Sequence, residues 1–337
     1  MKLPNFDYAK PGSVSECCDL LREHGTAAIP VAGGTDLMMA LKNWLKTPKL
    51  LVDLGGLPGL NEISEQKDGG LNIGALATLW QLAEHQTVRT KYPALAKAAR
   101  DVGSRQLQAM GTVAGNLCQD TCCLYYNRPP MLRQALGPCL KLGGDTCHAV
   151  KGSKSCWATY CGDLAPVLMV LGAAVRISTA SGDTVVPVNR LFSGDGKQPH
   201  TLQPGQVVSE IMVPAPKANA ATVYLKMRIR KSIDYPLLGV ALNLALLPDK
   251  KTVGDIALAL TAVEKAPIMI AAAEELKGNT LGNEQIDQLA EAAYKNARPI
   301  NNTYGYTPGY RKNMARTYVK EALRQAMELA TADGGAA

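Results

Sequence analysis

The chain of 337 residues is 47% hydrophobic and 19% charged, with a formal net charge of +7. Its length and composition allow a sizeable buried core and favour two domains. No apolar run reaches the ~18 residues that a membrane helix needs, and polar residues occupy the place of a signal-peptide core. We therefore expect a cytoplasmic protein with no membrane segment. Basic residues are not interleaved with aromatic ones, so nucleic-acid binding is not expected either.

The first 57 residues are predicted to form a small α/β unit. Ser13 to Glu16 has the capping-box pattern that begins a helix, and Gly25 ends that helix. Short buried strands at 27–31 and 50–54 flank a second helix at about 36–45.

From residue 70 the pattern changes. The regular elements predicted next are a strand at 71–75, helices at 79–86 and 93–102, a small-residue loop or strand at 111–117, a helix at 164–171, and strands at 173–178 and 184–188. Between them, residues 118–161 show little periodicity and are interrupted by proline and glycine. So long an irregular stretch inside a compact domain indicates a function.

A connection at 214–219 separates the last third of the chain. The elements predicted there are strands at 222–229, 239–247 and 256–263 and helices at 268–276, 284–297 and 310–330. In the last helix, apolar residues recur at helical spacing, so one of its faces is expected to pack against the sheet.

Two glycine-rich loops are candidates for ligand binding. The first, Val31 to Asp36, joins a predicted strand to a predicted helix, where backbone N–H groups favour a phosphate or pyrophosphate. It is neither the dinucleotide fingerprint nor a P-loop, and an ordinary turn is the alternative interpretation. Asp36 would repel a phosphate unless it caps the helix or bonds a ribityl hydroxyl. The second loop, Gly111 to Asn116, could serve for packing alone, but two such loops favour one shared diphosphate ligand.

The cysteines are the most unusual feature, because seven of the nine fall within residues 118–161. In a cytoplasmic protein such density is typical of metal or redox chemistry, and an odd total cannot be satisfied by disulfides alone. Thiolates select zinc or iron–sulfur clusters, although buried structural thiols are an alternative. Neither Cys-x-x-Cys pairs nor ferredoxin spacing is present, so spacing does not identify the ligands. The cysteines in question are Cys118, Cys122, Cys123, Cys139, Cys147, Cys156 and Cys161.

The charge of the cysteine segment and the absence of catalytic motifs favour a cofactor-binding protein. Between residues 124 and 162 the sequence contains five Lys or Arg residues and only one acidic residue, Asp145. Such cations would stabilise an anionic thiolate cluster or attract an acidic electron carrier. No hydrolase or metalloprotease motif is present, so we predict a cofactor-holding protein and no catalytic residue.

Taken together, these segments resemble the FAD-bearing medium subunits of the molybdenum hydroxylases, the xanthine dehydrogenase and carbon monoxide dehydrogenase group. The resemblance rests on the two glycine loops, Ile73-Gly74-Ala75, Gly162 to Pro166, Tyr224-Leu225-Lys226 with Asp234-Tyr235, and the tail from Ala266 to Arg311. It implies an α+β fold with a two-lobed FAD-binding domain of the PCMH/VAO type at 1–215, whose lobes are 1–57 and 58–215. A smaller C-terminal α+β domain of the CO dehydrogenase flavoprotein type would span 220–332.

The resemblance also implies an FAD site. The residues that would hold FAD are Ile29, Pro30, Val31, Ala32, Gly33, Gly34, Thr35, Asp36, Gly111, Thr112, Ala114, Gly115, Asn116, Cys118, Asp163 and Lys226.

The cysteine segment, an insertion at about 118–161, resembles the 4-hydroxybenzoyl-CoA reductase branch of this family. There an inserted loop binds a [4Fe-4S] cluster through four cysteines. The matching ligands are Cys123, Cys139, Cys147 and Cys156, with 15, 7 and 8 residues between them. The adjacent Cys122 could replace Cys123.

This branch implies an electron-transfer subunit. Reduced ferredoxin would supply electrons to the [4Fe-4S] cluster, and FAD would pass them to a small subunit with two [2Fe-2S] clusters. A large molybdenum-cofactor subunit would then convert 4-hydroxybenzoyl-CoA to benzoyl-CoA. Two alternatives remain: a flavin subunit of another molybdenum hydroxylase acting on a different aromatic substrate, and a zinc-stabilised binding module without flavin.

Overall fold

A computed structural model describes residues 2–302 and 305–332. The N-terminal sheet has three parallel strands in the order β1-β3-β2. Its strands are β1 (Asp7–Ala9), β2 (Ala28–Val31) and β3 (Leu50–Asp53), and its helices are α1 (Val14–His24) and α2 (Leu37–Lys42). Strand β1 was not predicted, whereas the other four elements were.

The ends of the two helices show how local chemistry sets their lengths. Ser13 Oγ accepts from the Glu16 N–H at 3.1 Å, as the capping pattern predicts. The Glu16 carboxylate accepts from the Gly12 N–H instead of the Ser13 N–H, so the cap is only half of a capping box. Helix α2 stops three residues earlier than predicted, and Trp44 adopts the left-handed region at a φ of 54°.

The middle sheet is antiparallel, with five strands in the order β4-β5-β8-β6-β7. Its strands are β4 (Ile63–Glu65), β5 (Leu71–Gly74), β6 (Ala174–Thr179), β7 (Gly182–Pro187) and β8 (Val207–Val213). The helices around it are α3 (Leu79–Glu84), α4 (Gln86–Lys91), α5 (Pro93–Asp101), α6 (Arg105–Met110), α7 (Val113–Leu117), α8 (Pro130–Leu136) and α9 (Leu164–Val170).

Helix α7 corrects the prediction of a loop or strand at 111–117. The Thr112 side chain accepts from the Gly115 N–H at 3.1 Å and thereby caps a short helix. The small residues that suggested a loop let this helix lie buried beside α9. Elements β4, β8, α4, α6 and α8 were also not predicted.

The C-terminal sheet is antiparallel in the order β12-β11-β10-β9, and two helices pack against it. Its elements are β9 (Ala220–Met227), β10 (Leu238–Leu246), β11 (Val253–Thr261), β12 (Ile268–Met269), α10 (Asn283–Asn296) and α11 (Pro308–Thr331). The helix predicted at 268–276 is wrong. Ile268 and Met269 pair with β11 as a short strand, and a 3₁₀ helix follows at Ala271–Leu276.

The segment after the cysteine-rich stretch joins the middle part of the chain to the C-terminal sheet. The backbone of Tyr160 exchanges hydrogen bonds with Ala262 and Glu264, at 3.1 and 3.2 Å. The Thr261 hydroxyl donates to the Gly162 carbonyl at 3.1 Å. Tyr224 of β9 belongs to the same hydrophobic core as α5 and α9, so this core is continuous across the boundary.

Candidate functional site

The two glycine loops lie directly against each other. A Cβ atom on Gly33 would overlap the Met110 carbonyl, and one on Gly111 would lie 2.9 Å from the Leu107 carbonyl oxygen. Contacts this short leave no room for a side chain at either position. The residues Val31 to Thr35 are only half-buried, and Gly115 of the second loop is exposed. Gly33 is thus required for one loop to pack on the other, and binding of FAD by the accessible residues of the two loops stays a prediction.

Asp36 links the first loop to the cysteine segment. It does not cap α2 through its side chain, so that interpretation is wrong. Its Oδ2 atom instead lies 3.4 Å from the Asp120 N–H, which donates to it. The first glycine loop and the start of the cysteine segment are thus in direct contact.

The far end of the second loop is held by side chains. The Asn116 Oδ1 atom accepts from the Leu164 N–H at 3.1 Å, which ties the loop to the start of α9. The Tyr160 hydroxyl lies 3.1 Å from the carbonyl oxygens of Asn116 and Leu117. These bonds fix the predicted FAD-lining backbone against the protein interior.

Asp163 and Lys226, both predicted to contact FAD, meet each other across the domain boundary. Their side chains are 4% and 1% exposed, and Lys226 Nζ lies 3.0 Å from Asp163 Oδ2. The Tyr224 hydroxyl donates to Asp163 at 2.6 Å, and Lys226 also donates to the Asp101 carbonyl at 2.7 Å. Burial raises the pKa of Asp163, an effect that Lys226 and Tyr224 oppose. This network anchors the loop before α9, a role that sequence reasoning missed.

Cys118 follows the second loop. Removal of its thiol from water raises its pKa to about 12, so the sulfur is protonated at neutral pH. Its carbonyl lies 2.8 Å from His200 Nε2. The residue therefore packs behind the loop as a neutral side chain.

The four cysteines predicted as cluster ligands come together. Cys123, Cys139, Cys147 and Cys156 line one small cavity, and the last three are buried. Tyr126, Lys141 and His148 are among the other residues that line it. The polypeptide thus brings together thiols that are separated by as many as 33 positions in the chain.

Cys122, the open alternative to Cys123, points elsewhere. Its Sγ atom lies 4.0 Å from Cys161 Sγ, and its backbone forms an isolated β-bridge with Thr159. The two adjacent cysteines therefore belong to different groups. In the part of the chain that the structure describes, no three His, Cys, Asp or Glu side chains converge on a point that could hold a single metal ion.

Lys141 is the buried cation of this region. Its side chain is 3% exposed, and Nζ lies 2.6 Å from Asp120 Oδ1 and 2.9 Å from the Gly196 carbonyl. It also bonds the Thr121 hydroxyl and lies 4.7 Å from the Tyr126 ring centroid. Desolvation alone would raise the pKa of Asp120, but Lys141 and Lys46 outweigh it and lower that pKa. The sequence presented Lys141 only as one of five cations, and nothing in its pattern signalled burial.

Comparison with known proteins decides the family. The model for the FAD binding domain in molybdopterin dehydrogenase matches residues 4–216, and that for the CO dehydrogenase flavoprotein C-terminal domain matches residues 223–326. The chain belongs to the FAD-binding medium subunits of the molybdenum hydroxylase family. The predicted α+β fold class is confirmed, and a flavin-free zinc module is wrong.

Three relatives illustrate the similarity. The aldehyde oxidoreductase FAD-binding subunit PaoB of Escherichia coli is 35% identical, covering 86% of this chain and 88% of its own. The carbon monoxide dehydrogenase medium chain of Afipia carboxidovorans is 25% identical, with 96% of both chains covered. A solved carbon monoxide dehydrogenase from Hydrogenophaga pseudoflava superposes with a TM-score of 0.79 at 26% identity, covering 97% of this chain and 99% of that chain.

Membership in this family makes the chain a subunit of an oxidoreductase that binds FAD. Over residues 2–302 and 305–332, none of the helices combines the length and the apolar character needed to cross a bilayer.

Proposed function

We propose that this chain is the electron-transfer subunit of a molybdenum hydroxylase complex and that it binds a [4Fe-4S] cluster in addition to FAD. The observation that carries the proposal is the single cavity lined by Cys123, Cys139, Cys147 and Cys156. Four thiolates are the usual ligand set of a [4Fe-4S] cluster. The cavity lies next to the segment that begins at Asp120 and touches the first glycine loop.

The donor chemistry fits a cluster better than a zinc ion. In a cluster each thiolate binds a different iron, so the sulfur atoms surround a space instead of meeting at a point. A structural zinc site needs four ligands at about 2.3 Å from one centre. The four thiols surround a cavity, and no three candidate ligands among the described residues converge on one point. Lys141 also lines this cavity, with its ammonium group paired to Asp120 at 2.6 Å.

The flavin site also fits its cofactor. Gly33 lets the two loops pack backbone to backbone, and the half-buried residues Val31 to Thr35 and the exposed Gly115 leave accessible backbone that a diphosphate could approach. The residues proposed to hold FAD are those of the two loops, with Asp163 and Lys226 acting behind them. When bound, FAD would exchange electrons two at a time or singly, whereas the cluster would exchange single electrons. The protein's part is to hold both groups close together and to exclude water between them.

Within the complex we assign the substrate chemistry to other subunits. The proposed partners are a large molybdenum-cofactor subunit, a small subunit with two [2Fe-2S] clusters, and ferredoxin as an external electron carrier. The resemblance of the cysteine segment supports 4-hydroxybenzoyl-CoA reductase as the activity of the whole complex. The 35% identity to an aldehyde oxidoreductase subunit favours aldehyde oxidation as a second candidate.

Ligand substitution tests the cluster. In the native complex, Cys139→Ser or Cys147→Ser should remove about four irons per chain and leave FAD bound, because a four-thiolate site loses its cluster when one ligand is lost. Cys161→Ser is the matched control and should keep the iron, since Cys161 pairs with Cys122 outside the cavity. Iron analysis, flavin absorbance and electron paramagnetic resonance measure the result. Loss of iron only in the Cys161 variant would contradict the proposed ligand set.

Assay of the complex then separates the two activities. Wild-type complex is offered an aromatic aldehyde with an electron acceptor, or 4-hydroxybenzoyl-CoA with reduced ferredoxin, and product is measured by chromatography. Benzoyl-CoA supports the reductase proposal, and a carboxylic acid supports aldehyde oxidation. Turnover of neither substrate contradicts both activities without bearing on the cluster.

A further inference from the structure

Helix α8 is unusual because it packs none of its side chains into the interior. It lies inside the cysteine segment, and none of its residues is buried. Met131 is 75% exposed, and Leu132 and Leu136, one turn apart, are 42% and 48% exposed. A cluster of exposed apolar side chains on a folded protein marks a surface that meets another molecule. With Trp44, which is 46% exposed, we name these residues the α8 patch.

Arg133 joins the two parts of this patch. Its Nη2 atom donates to the carbonyl of Asn43 at 2.7 Å and to that of Trp44 at 3.3 Å. Its Nη1 atom donates to the Arg128 carbonyl at 3.1 Å. The helix and the left-handed turn at Trp44 are therefore fastened side by side, and the patch is held in place before any partner arrives.

The α8 patch lies one layer of residues above the cysteine cavity. Arg133 Nη1 also approaches the Tyr126 carbonyl at 3.5 Å, and the Gly137 carbonyl lies 3.2 Å from His148 Nε2. Both Tyr126 and His148 line the cavity. Cys139 follows the end of the helix by three positions. A protein seated on α8 would therefore approach the proposed cluster closely.

Charge indicates the chemistry of the partner. Lys42, two residues before Trp44, is exposed, and Arg128 and Arg133, just before and on α8, are half-buried. Lys151 and Lys154 are exposed later in the cysteine segment. Asp145 is the one acid between residues 124 and 162. An apolar centre with basic residues beside it, in a segment that carries a single acid, complements an acidic protein and speeds its encounter with the surface. A second copy of this chain would bring like charges together.

We propose that the α8 patch is the docking surface for a diffusible acidic electron-carrier protein that exchanges electrons at the cysteine cavity. The inference rests on the proposed function, because it gives that cavity its redox role. It adds the place where the carrier binds and the residues that bind it.

Binding of a labelled carrier tests the surface without relying on turnover. The probe is an acidic ferredoxin carrying a fluorophore, added to the native complex, with basic cytochrome c as the charge control. Met131→Glu combined with Leu136→Glu should weaken ferredoxin binding by about tenfold or more, because it places acids at the apolar centre. Leu329→Glu on α11, at a side chain that is 57% exposed, should leave binding within about twofold.

Two further measurements separate the possible failures. Iron and flavin analysis of each sample reports on the proposed function: full iron without ferredoxin binding, or binding unchanged in the double variant, overturns only the docking surface. Wild-type complex that lacks the extra iron overturns the proposed function itself. Hydroxyl-radical footprinting of Met131 tests the occupant: protection only when ferredoxin is added supports the proposal, whereas protection in the complex alone shows a subunit interface and overturns it.

Discussion

The glycine loops and the cysteine segment place their cofactors by opposite means. In the loops, backbone meets backbone, and Gly33 has no space for even one methyl group beside Met110. In the cysteine segment, long side chains such as Lys141 and Arg133 reach across the fold and hold irregular backbone in place. The first site thus depends on the absence of side chains, and the second depends on side chains that are present. Additions should therefore damage the first, and deletions the second.

The largest effect is expected from an addition. Gly33→Ala should reduce the FAD content of the purified complex at least about tenfold, because its Cβ would overlap the Met110 carbonyl and push the two loops apart. Flavin absorbance after gel filtration measures the loss. Gly309→Ala is the control, since a Cβ there meets no atom within 4 Å, and full flavin content is expected. Normal FAD in the Gly33 variant would mean that the loops do not require close contact.

A deletion in the cysteine segment should have a smaller effect that depends on pH. Asp120→Asn removes the charge that faces buried Lys141 and should cost about 2–3 kcal/mol of stability at pH 7, less than a fully buried pair because Asp120 stays partly exposed. The pKa of Asp120 is lowered in the folded protein, so this contribution is complete above the unfolded value near 4. It is lost as the pH falls through the folded pKa.

Urea unfolding at pH 7 and below pH 4 checks this prediction. The difference between wild type and Asp120→Asn should shrink in acid, while Asp145→Asn, at an exposed position in the same segment, should show little difference at either pH. An equal deficit at both pH values would show that the loss comes from packing and not from charge.

The smallest effect is expected behind the flavin loops. Tyr224→Phe removes one hydrogen bond to the buried Asp163 and should lower stability by about 1–2 kcal/mol, with FAD still bound. Tyr310→Phe, at a side chain that is 44% exposed, serves as the control. Thermal unfolding of both variants measures the difference. Complete loss of FAD on Tyr224→Phe would instead place Tyr224 in direct contact with the cofactor.

Much of the fold could be predicted because helix caps and apolar spacing depend only on residues close together in the sequence. The caps at Ser13 and Gly25 and the apolar spacing of α11 depend on neighbours in sequence. The prediction failed at α7, where small residues favoured a loop although Thr112 caps a helix. It failed again at Ile268, because pairing with β11 is a long-range interaction that overrides local propensity.

The candidate site shows the same division. The glycine loops could be found from the sequence because runs of small residues can be recognised directly in it. The grouping of the cysteines came only from resemblance, and the spacing did not separate Cys122 from Cys123. The contact of Lys226 with Asp163 joins positions 63 residues apart, and no local pattern predicts it.

The paired backbone at Tyr160 and the buried Asp163–Lys226 contact have a consequence for the chain as a whole. The connection at residues 214–219 carries no helix or strand and would be expected to act as a hinge. The segments before and after this connection are nevertheless held together elsewhere, by hydrogen bonds and a shared hydrophobic core. A protease that cut this connection would therefore nick the chain without releasing either fragment, and the halves should melt together in a single transition.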